Sequence, residues 1–353
     1  MVIAIIIFLL FSFLLFYANI KKSKQITSDS NTKLSVIIAA KDEEKNIPKL
    51  ILSLSNQTYP KENYEVIIVD DNSKDKTFEI AKNIIYELPN FEILQVLNKK
   101  YKGKRGALQY GIEKSKYPNI LITDADCEAE PNWIQKFANK FNAGYDIIFG
   151  IAPYKQTRTL INKIACFENL RTHILTFAFA NIGLPYSAAA RSFGFKKKSF
   201  EQIEGYKNTT ETLSGDDDLL LREAVKNNFR IATITEPDAF VFSETKKTFK
   251  EYLQQKARHT STANYYSFSR QLLLGFWHLL NLFFLFSPFL IFFNIRFSVL
   301  FLIKFLTDII IANLLMKKFG YRFNIFEIIY LQIIYEILLI INYINGLFSK
   351  RKW

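Results

Sequence analysis

The chain contains few cysteines and histidines, and this scarcity argues against two kinds of site. Among its 353 residues there are only two cysteines, Cys127 and Cys166, and their spacing matches no metal-binding motif. Two isolated thiols form no disulfide framework and are typical of a protein in a reducing compartment. The three histidines are scattered along the chain, so we do not expect a zinc site either.

The sequence also lacks the marks of several nucleotide-binding and nucleic-acid-binding classes. It contains no GxxxxGK(S/T) phosphate-binding loop and no visible internal repeat. The formal net charge is +13 and the isoelectric point is near 9.4, but no basic stripe with interleaved aromatic residues stands out. We therefore expect no nucleic-acid partner, and we attribute the positive charge to loops that flank membrane segments.

Long apolar segments are present at both ends of the chain. The segment Val2–Ile20 is close to the ~20 residues that a helix needs to cross a bilayer. No basic residue precedes it and no small-residue cleavage site follows, so residues 1–20 are predicted to be an uncleaved transmembrane anchor rather than a signal peptide. Lys21, Lys22 and Lys24 follow at once and place the next part of the chain on the cytoplasmic side.

Three more apolar segments, 272–293, 297–316 and 325–348, predict about three transmembrane helices within residues 271–348. A basic tail, 349–353, follows them. A full fourth crossing would place this tail outside the cell, against the tendency of basic residues to stay inside. Whether the last segment crosses the membrane or lies in its interface therefore stays open.

The second of these segments carries two charges, Lys304 and Asp308, at a spacing that puts them on one helical face. Charged side chains at that depth are costly unless they are paired or face protein. We interpret them as a mutual ion pair between packed helices, with a functional role as the alternative.

Strand-like and helix-like segments alternate between residues 34 and 245, after a polar linker at 21–33. This alternation predicts an α/β domain with a parallel sheet and helices on both of its faces. The predicted strands are 35–40, 64–69, 91–97 and 120–123, and the predicted helices are 43–55, 73–86 and 105–114, with Asp42 as a cap of the first helix.

Carboxylate pairs follow two of these strands, at the edge where open α/β sheets bind ligands. Asp70 and Asp71 end the second strand, where a carboxylate can accept hydrogen bonds from a base or ribose, or can simply cap a helix. Asp124 and Asp126 follow the fourth strand. Carboxylates one residue apart can converge on one divalent ion, and Mg²⁺ commonly takes one or two of them with substrate phosphates.

Two further polar clusters stand at predicted helix starts. Residues 103–106, Gly-Lys-Arg-Gly, combine backbone amides with two cations and favour a phosphate, although an ordinary basic turn is the alternative. Asp216, Asp217 and Asp218 repel one another, which raises at least one pKa and suits a general base. Complementing the dipole of the following helix is the alternative for these three residues.

Residues 246–270 are basic and amphipathic and lead into the first C-terminal apolar segment. We predict an interfacial helical region here, which either rests on anionic headgroups or brings Gln255 and Arg258 over the active site.

In order along residues 34–265, these motifs resemble those of the family 2 glycosyltransferases of the GT-A fold, in their membrane-anchored branch. The chain departs from the family pattern at Ala39, Asp42 and His259, where the family has Pro, Asn and Trp. The matching segments are SVIIAAKDEEKNI at 35–47, VDDNSKDKT at 69–77, GKxxAL at 103–108, TDAD at 123–126, FKKKSFEQIEGY at 195–206, SGDDDL at 214–219 and QKARH at 255–259.

The resemblance implies a mixed, mostly parallel sheet with flanking helices, and transfer of a sugar from a nucleotide-sugar donor such as a UDP- or GDP-sugar, with inversion. It implies that Asp71 contacts the base of the nucleotide and that Glu43 supports the same pocket. Lys104 and Arg258 would neutralise charge on the diphosphate, and Gln255 would contribute to donor binding.

The resemblance also implies a metal and a base. Asp124 and Asp126 would hold Mg²⁺ or Mn²⁺ on the diphosphate of the donor, so that Asp124 serves both metal and donor. Asp216 aligns with the family's catalytic base, and Asp217 and Asp218 are alternates.

We therefore predict a membrane-bound, hexosyltransferase-like enzyme, multi-pass in the cell membrane, with a cytoplasmic catalytic domain at 34–245. Its acceptor is expected to be lipid-linked or membrane-proximal, as in glycolipid or cell-surface glycan synthesis. A processive polysaccharide synthase, a membrane nucleotidyltransferase or phosphotransferase, and a scaffold without catalysis are the alternatives.

Overall fold

The computed structural model describes residues 1–21, 31–212 and 215–348, which form two compact units. The predicted basic tail at 349–353, and most of the predicted linker at 21–33, lie outside the described residues. The sheet unit consists of residues 31–155, 187–212 and 215–245, and the helical unit consists of residues 1–21, 156–186 and 246–348.

Nine strands and twelve α-helices lie in the described part of the chain. The strands are β1 (Leu34–Ala40), β2 (Tyr64–Asp70), β3 (Phe91–Gln95), β4 (Asn119–Asp124), β5 (Cys127–Ala129), β6 (Ile147–Gly150), β7 (Phe193–Lys196), β8 (Ile231–Ile234) and β9 (Val241–Ser243). The helices are α1 (Val2–Ile20), α2 (Ile47–Ser55), α3 (Thr77–Ile85), α4 (Lys104–Lys114), α5 (Trp133–Asn142), α6 (Leu160–Asn181), α7 (Lys197–Gln202), α8 (Asp216–Lys226), α9 (Phe249–Thr262), α10 (Phe268–Phe286), α11 (Ser298–Leu315) and α12 (Ile325–Phe348).

Seven strands of the sheet unit form one sheet, in the order β3-β2-β1-β4-β7-β6-β8. Only β7 runs antiparallel to its neighbours, so the sheet is mixed and mostly parallel, which confirms the predicted fold class. Strands β5 and β9 pair antiparallel as a separate two-stranded sheet.

The core of the sheet unit follows from apolar runs without polar interruption. Every residue of β2 is buried, as expected for a parallel strand covered on both faces. Helix α2 adds its apolar residues at helical spacing, Ile47, Leu50, Ile51 and Leu54, to the same buried cluster.

The predicted starts of the first two helices of the sheet unit are wrong, because side chains there hold the backbone in loops. Asp42 is not a helix cap: it has a left-handed φ of 56°, and its carboxylate accepts the backbone N–H of Lys74 at 2.7 Å. Helix α2 begins only at Ile47, and α3 begins only at Thr77. Hydrogen bonds between side chains and backbone compete with the helix in such segments.

The helical unit contains four helices that are long and apolar enough to cross a membrane, judged by length and composition. A short 3-10 turn, Ser287–Leu290, which contains Pro288, follows α10 directly. The four segments are Val2–Ile20, Phe268–Leu290, Ile295–Phe319 and Ile325–Asn342.

Aromatic stacking fastens α1 to α10. The ring of Phe8 lies 4.5 Å from that of Phe284 and 5.8 Å from that of Trp277. Near the end of α1, the side-chain amide of Asn19 donates to the carbonyl of Ile174 in α6 at 2.8 Å. Helix α6 thus packs inside the helical unit, although the sequence places it within the predicted domain 34–245.

Three buried charged side chains and the largely buried Arg171 form a cluster in the helical unit. Lys304 Nζ lies 2.5 Å from Asp308 Oδ2 and 2.5 Å from Glu336 Oε1. Asp308 also pairs with Arg171 of α6 at 2.8 Å. The predicted Lys304–Asp308 pair is confirmed, and it belongs to a larger network with two charges of each sign.

Candidate active site

Two of the predicted acidic motifs lie at one edge of the main sheet. Strand β1 pairs Ala40 with Asp70 of β2, and pairs Ala39 with Asp124 of β4. Because the three strands are parallel, both aspartates lie at the carboxyl edge, on either side of β1. This is the point where the strand order reverses, and ligands of open α/β sheets bind there.

The loops after β1 and β2 are joined by hydrogen bonds. The backbone N–H of Asp42 donates to Ser73 Oγ at 3.0 Å, and that of Glu43 donates to Thr77 Oγ1 at 2.7 Å. The carboxylate of Glu43 accepts the side-chain amide of Asn46 at 2.7 Å. Glu43 therefore stabilises the loop beside the predicted nucleotide-binding turn, whereas its contact with the donor stays a prediction.

Asp71, the predicted contact of the base, is held from two sides. Its backbone N–H donates to the carbonyl of Ala40 at 2.7 Å, and its buried carboxylate pairs with Lys99 Nζ at 2.5 Å. The sequence did not single out Lys99, because it is one of several basic residues in the loop before α4 and nothing in the pattern distinguishes it.

The candidate metal site comprises Asp124, Asp126 and Cys127, whose ligand atoms lie within 4.8 Å of one another. Two carboxylates beside the predicted phosphate-binding helix start are a donor set that suits Mg²⁺ or Mn²⁺. Burial, together with the charges of the two aspartates, raises the pKa of the Cys127 thiol well above its ordinary value. These surroundings favour the protonated form of the thiol. The sequence prediction of this site did not include Cys127, although it directly follows Asp126 in the chain.

Lys104 connects the metal site to the predicted base. It opens α4 directly after Gly103, whose φ is 67°. Its Nζ lies 2.5 Å from Asp124 Oδ1 and 3.4 Å from Asp216 Oδ2. Burial opposes the charge of this ammonium group, but the two carboxylates raise the pKa of Lys104 well above its ordinary value. Lys104 is therefore a cation at neutral pH.

The three consecutive aspartates at the start of α8 have different partners. Asp216 faces Lys104, whereas Asp217 Oδ2 accepts the backbone N–H of Ala190 at 2.6 Å. Asp218 Oδ1 accepts the backbone N–H of Ala188 at 3.0 Å. The structure thus places Asp216 toward the candidate metal site and ties the other two to a neighbouring loop.

Their titration differs as well. Burial opposes ionisation of Asp216, but the cations Lys104 and Arg105 hold its pKa below the ordinary value. Burial and the two adjacent carboxylates raise the pKa of Asp217 well above the ordinary value. The expected rise of one pKa in this cluster therefore falls on Asp217 and not on Asp216.

Arg191 is a further residue that the sequence did not indicate. One of its nitrogens donates to the carbonyl of Ala152 at 2.7 Å, and another donates to Ser243 Oγ. Its guanidinium group lies 4.5 Å from the ring centroid of Tyr154. Since Ser243 pairs with Cys127 in the two-stranded sheet, Arg191 is anchored beside the candidate metal site.

Gln255 and Arg258 lie on α9, in the helical unit. The predicted helix in 246–270 is confirmed as α9, which begins with a capping box between Thr248 and Glu251. Lys256, between the two predicted residues, pairs with Glu168 of α6 at 3.1 Å. The predicted contacts of Gln255 and Arg258 with a donor stay a prediction.

Comparison with known proteins agrees with this geometry. The family model described as "Glycosyl transferase family 2" matches residues 35–203. Glycosyltransferase AglE of Haloferax volcanii is 35% identical over 141 residues, which cover 39% of this chain and 46% of that protein. The chain therefore matches less than half the length of this relative.

Two other proteins extend the comparison. The dolichyl N-acetyl-alpha-D-glucosaminyl phosphate 3-beta-D-2,3-diacetamido-2,3-dideoxy-beta-D-glucuronosyltransferase of Methanococcus voltae is 25% identical and covers 63% of this chain and 70% of its own. The mannosyltransferase PcManGT of Pyrobaculum calidifontis, solved with GDP-Man and Mn²⁺, aligns with a TM-score of 0.57 at 17% identity, over 72% of this chain and 68% of its own. The second likeness concerns the fold alone.

The strand order, the carboxylates at its edge and these matches define a class of enzyme. Residues 35–203 match the family 2 glycosyltransferases, and the sheet unit has the GT-A fold.

Proposed function

We propose that the chain is a membrane-bound inverting glycosyltransferase that moves a sugar from a UDP- or GDP-sugar to a lipid-linked or membrane-proximal acceptor. The observation that carries this proposal is Lys104, which contacts Asp124 at 2.5 Å and Asp216 at 3.4 Å. One cation thus brings a candidate metal ligand and the candidate base to the same place, as sugar transfer requires.

The residues of the sheet unit divide the work of donor binding. Asp71 accepts a hydrogen bond from the base, in the pocket that Glu43 stabilises, and Lys104 contributes positive charge at the diphosphate. Asp124 and Asp126 hold Mg²⁺ or Mn²⁺, which when bound neutralises the charge that develops on the leaving diphosphate.

Asp216 acts on the acceptor. The acceptor oxygen forms a bond to the anomeric carbon while the bond from that carbon to the diphosphate oxygen breaks, and Asp216 takes the hydroxyl proton. The lowered pKa keeps this carboxylate ionised and ready to accept the proton. Asp217 and Asp218 are less suitable, since each already accepts a backbone N–H.

The helical unit supports the choice of acceptor. Four helices suited to crossing a membrane favour a multi-pass protein and a substrate that resides in the bilayer. The name of the Methanococcus voltae relative describes a dolichyl-linked sugar phosphate, which supports the same class. We propose the sheet unit to be cytoplasmic, with 246–270 at the interface, where Gln255 and Arg258 add contacts to the donor.

The test uses the full chain in detergent micelles. UDP-glucose, UDP-N-acetylglucosamine and GDP-mannose are each supplied with polyprenyl phosphate or with diacylglycerol, and release of UDP or GDP is measured with Mg²⁺ or Mn²⁺. We expect metal-dependent turnover that falls at least ~100-fold in Asp126→Ala and Asp216→Ala. Glu87→Ala, an exposed control, should retain it.

Full turnover by both aspartate variants would contradict the proposal. Release of pyrophosphate instead of a nucleoside diphosphate would indicate a nucleotidyltransferase, and a ladder of long products would indicate a processive synthase.

A further inference from the structure

Three consecutive alanines form a loop that is fastened to the start of α8. We name residues 187–191, Ser-Ala-Ala-Ala-Arg, the alanine loop. The backbone N–H of Ala188 donates to Asp218, and that of Ala190 donates to Asp217, at 3.0 and 2.6 Å. Both carboxylates belong to the same helical turn as Asp216, so the position of this loop is coupled to that of the proposed base.

The other end of the alanine loop is fastened toward the candidate metal site. Arg191 donates to Ala152 and to Ser243, and Ser243 is paired with Cys127, the neighbour of Asp126. Directly after the loop, Ser192 Oγ accepts the indole N–H of the buried Trp133 at 3.0 Å. The loop therefore connects the proposed base to the proposed metal ligands.

The small side chains of the alanine loop suit a position beside a substrate. The three alanines are half-buried, and so are Asp216, Asp217, Asp218 and Arg191. Each of these side chains is a single methyl group and adds little volume next to the helical turn that carries Asp216, where the sugar and the acceptor hydroxyl must meet if Asp216 is the base.

We propose that Asp217 and Asp218 are positioning residues, which hold the alanine loop as one wall of the acceptor site opposite Asp216. This inference rests on the proposed function. It separates the roles of the three aspartates, because only Asp216 needs a negative charge. Asp217 and Asp218 need only an oxygen that accepts a backbone N–H, and the amide of asparagine supplies one.

The experiment compares asparagine and alanine at each position, with the donor and lipid that support turnover of the unaltered chain. Asp217→Ala and Asp218→Ala should each raise the acceptor KM about tenfold and change kcat less. A tenfold change is at the lower end of the range expected when a hydrogen bond to a charged group is lost. Asp217→Asn and Asp218→Asn should restore most of this loss. Asp216→Asn should abolish turnover, and the affinity for UDP or GDP with Mn²⁺, measured by calorimetry, should be unchanged in all five.

A second variant keeps the test decisive if the alanine substitutions impair folding. Ala189→Leu leaves both aspartates in place and should raise the acceptor KM without weakening nucleotide binding. Abolished turnover in Asp217→Asn or Asp218→Asn, or an unchanged acceptor KM in Ala189→Leu, would overturn the inference while the proposed function stands. If the unaltered chain turns over no nucleotide-sugar, the proposed function fails, and this inference fails with it.

Discussion

At the scale of single residues, Lys104 controls the charge state of the proposed base. Its ammonium group lies 3.4 Å from Asp216. Of the two cations that hold the pKa of this carboxyl below its ordinary value, Lys104 has the larger effect and Arg105 the smaller. In Lys104→Met the pKa of Asp216 should rise, so the carboxylate becomes protonated at a higher pH. We expect the acid limb of the kcat/KM profile to move to higher pH, together with a loss of about 100-fold in kcat/KM at neutral pH.

The measurement is the pH dependence of UDP or GDP release, with Lys104→Arg as the control that keeps the charge. An acid limb that does not move in Lys104→Met would show that another group limits the rate at low pH.

Most residues of the candidate site were accessible to sequence reasoning, and those that were not share a physical reason. Asp71, Asp124 and Asp126 follow apolar runs that are easily recognised as strands, so their place at the sheet edge could be predicted. Lys99 and Arg191 act through contacts with residues distant in sequence, and no periodic pattern encodes such contacts.

At the scale of secondary-structure elements, the four predicted strands match β1–β4 more closely than the predicted starts of α2 and α3 match the structure, whereas β5–β9 were not predicted. A buried strand is specified by its own apolar residues, whereas the starts of α2 and α3 depend on hydrogen bonds that join one loop to another. Helix α6 was misjudged for a related reason. Its polar partners, including Asp308, lie in another part of the chain, so local sequence cannot reveal where it packs.

The buried charge network provides a test of helix packing. Glu336→Gln removes one negative charge and leaves Lys304, Arg171 and Asp308 with a net positive charge in the interior of the helical unit. We expect it to lower the free energy of unfolding by ~3–5 kcal/mol. Adding Lys304→Met restores neutrality and retains the Arg171–Asp308 pair, so the double variant should be more stable than the single one.

Thermal unfolding of the full chain in detergent micelles, followed by tryptophan fluorescence, ranks the stability of the unaltered chain, the single variant and the double variant. A double variant that is less stable than Glu336→Gln would mean that Lys304 contributes through packing and not through charge balance.

At the scale of the whole molecule, the sign and placement of charge predict a membrane topology. The side chain of Lys318, in the connection between α11 and α12, donates to the carbonyl of Asn19 at the end of α1. These two helix ends therefore lie on the same side of the helical unit. Basic residues accumulate there, which favours the cytoplasmic side.

The connection between α10 and α11 must then lie on the opposite side if both helices cross the membrane. Two exposed asparagines form a matched pair for this test, since Asn294 lies in the α10–α11 connection and Asn324 precedes α12. Both native cysteines are buried, so they contribute little background to labelling of a new thiol.

In intact cells, a membrane-impermeant maleimide should label Asn294→Cys and spare Asn324→Cys, and permeabilisation should make both reactive. Equal labelling of the two in intact cells would mean that α11 does not cross the membrane, whereas the reverse pattern would place the catalytic domain outside the cytoplasm, where nucleotide-sugar donors are scarce.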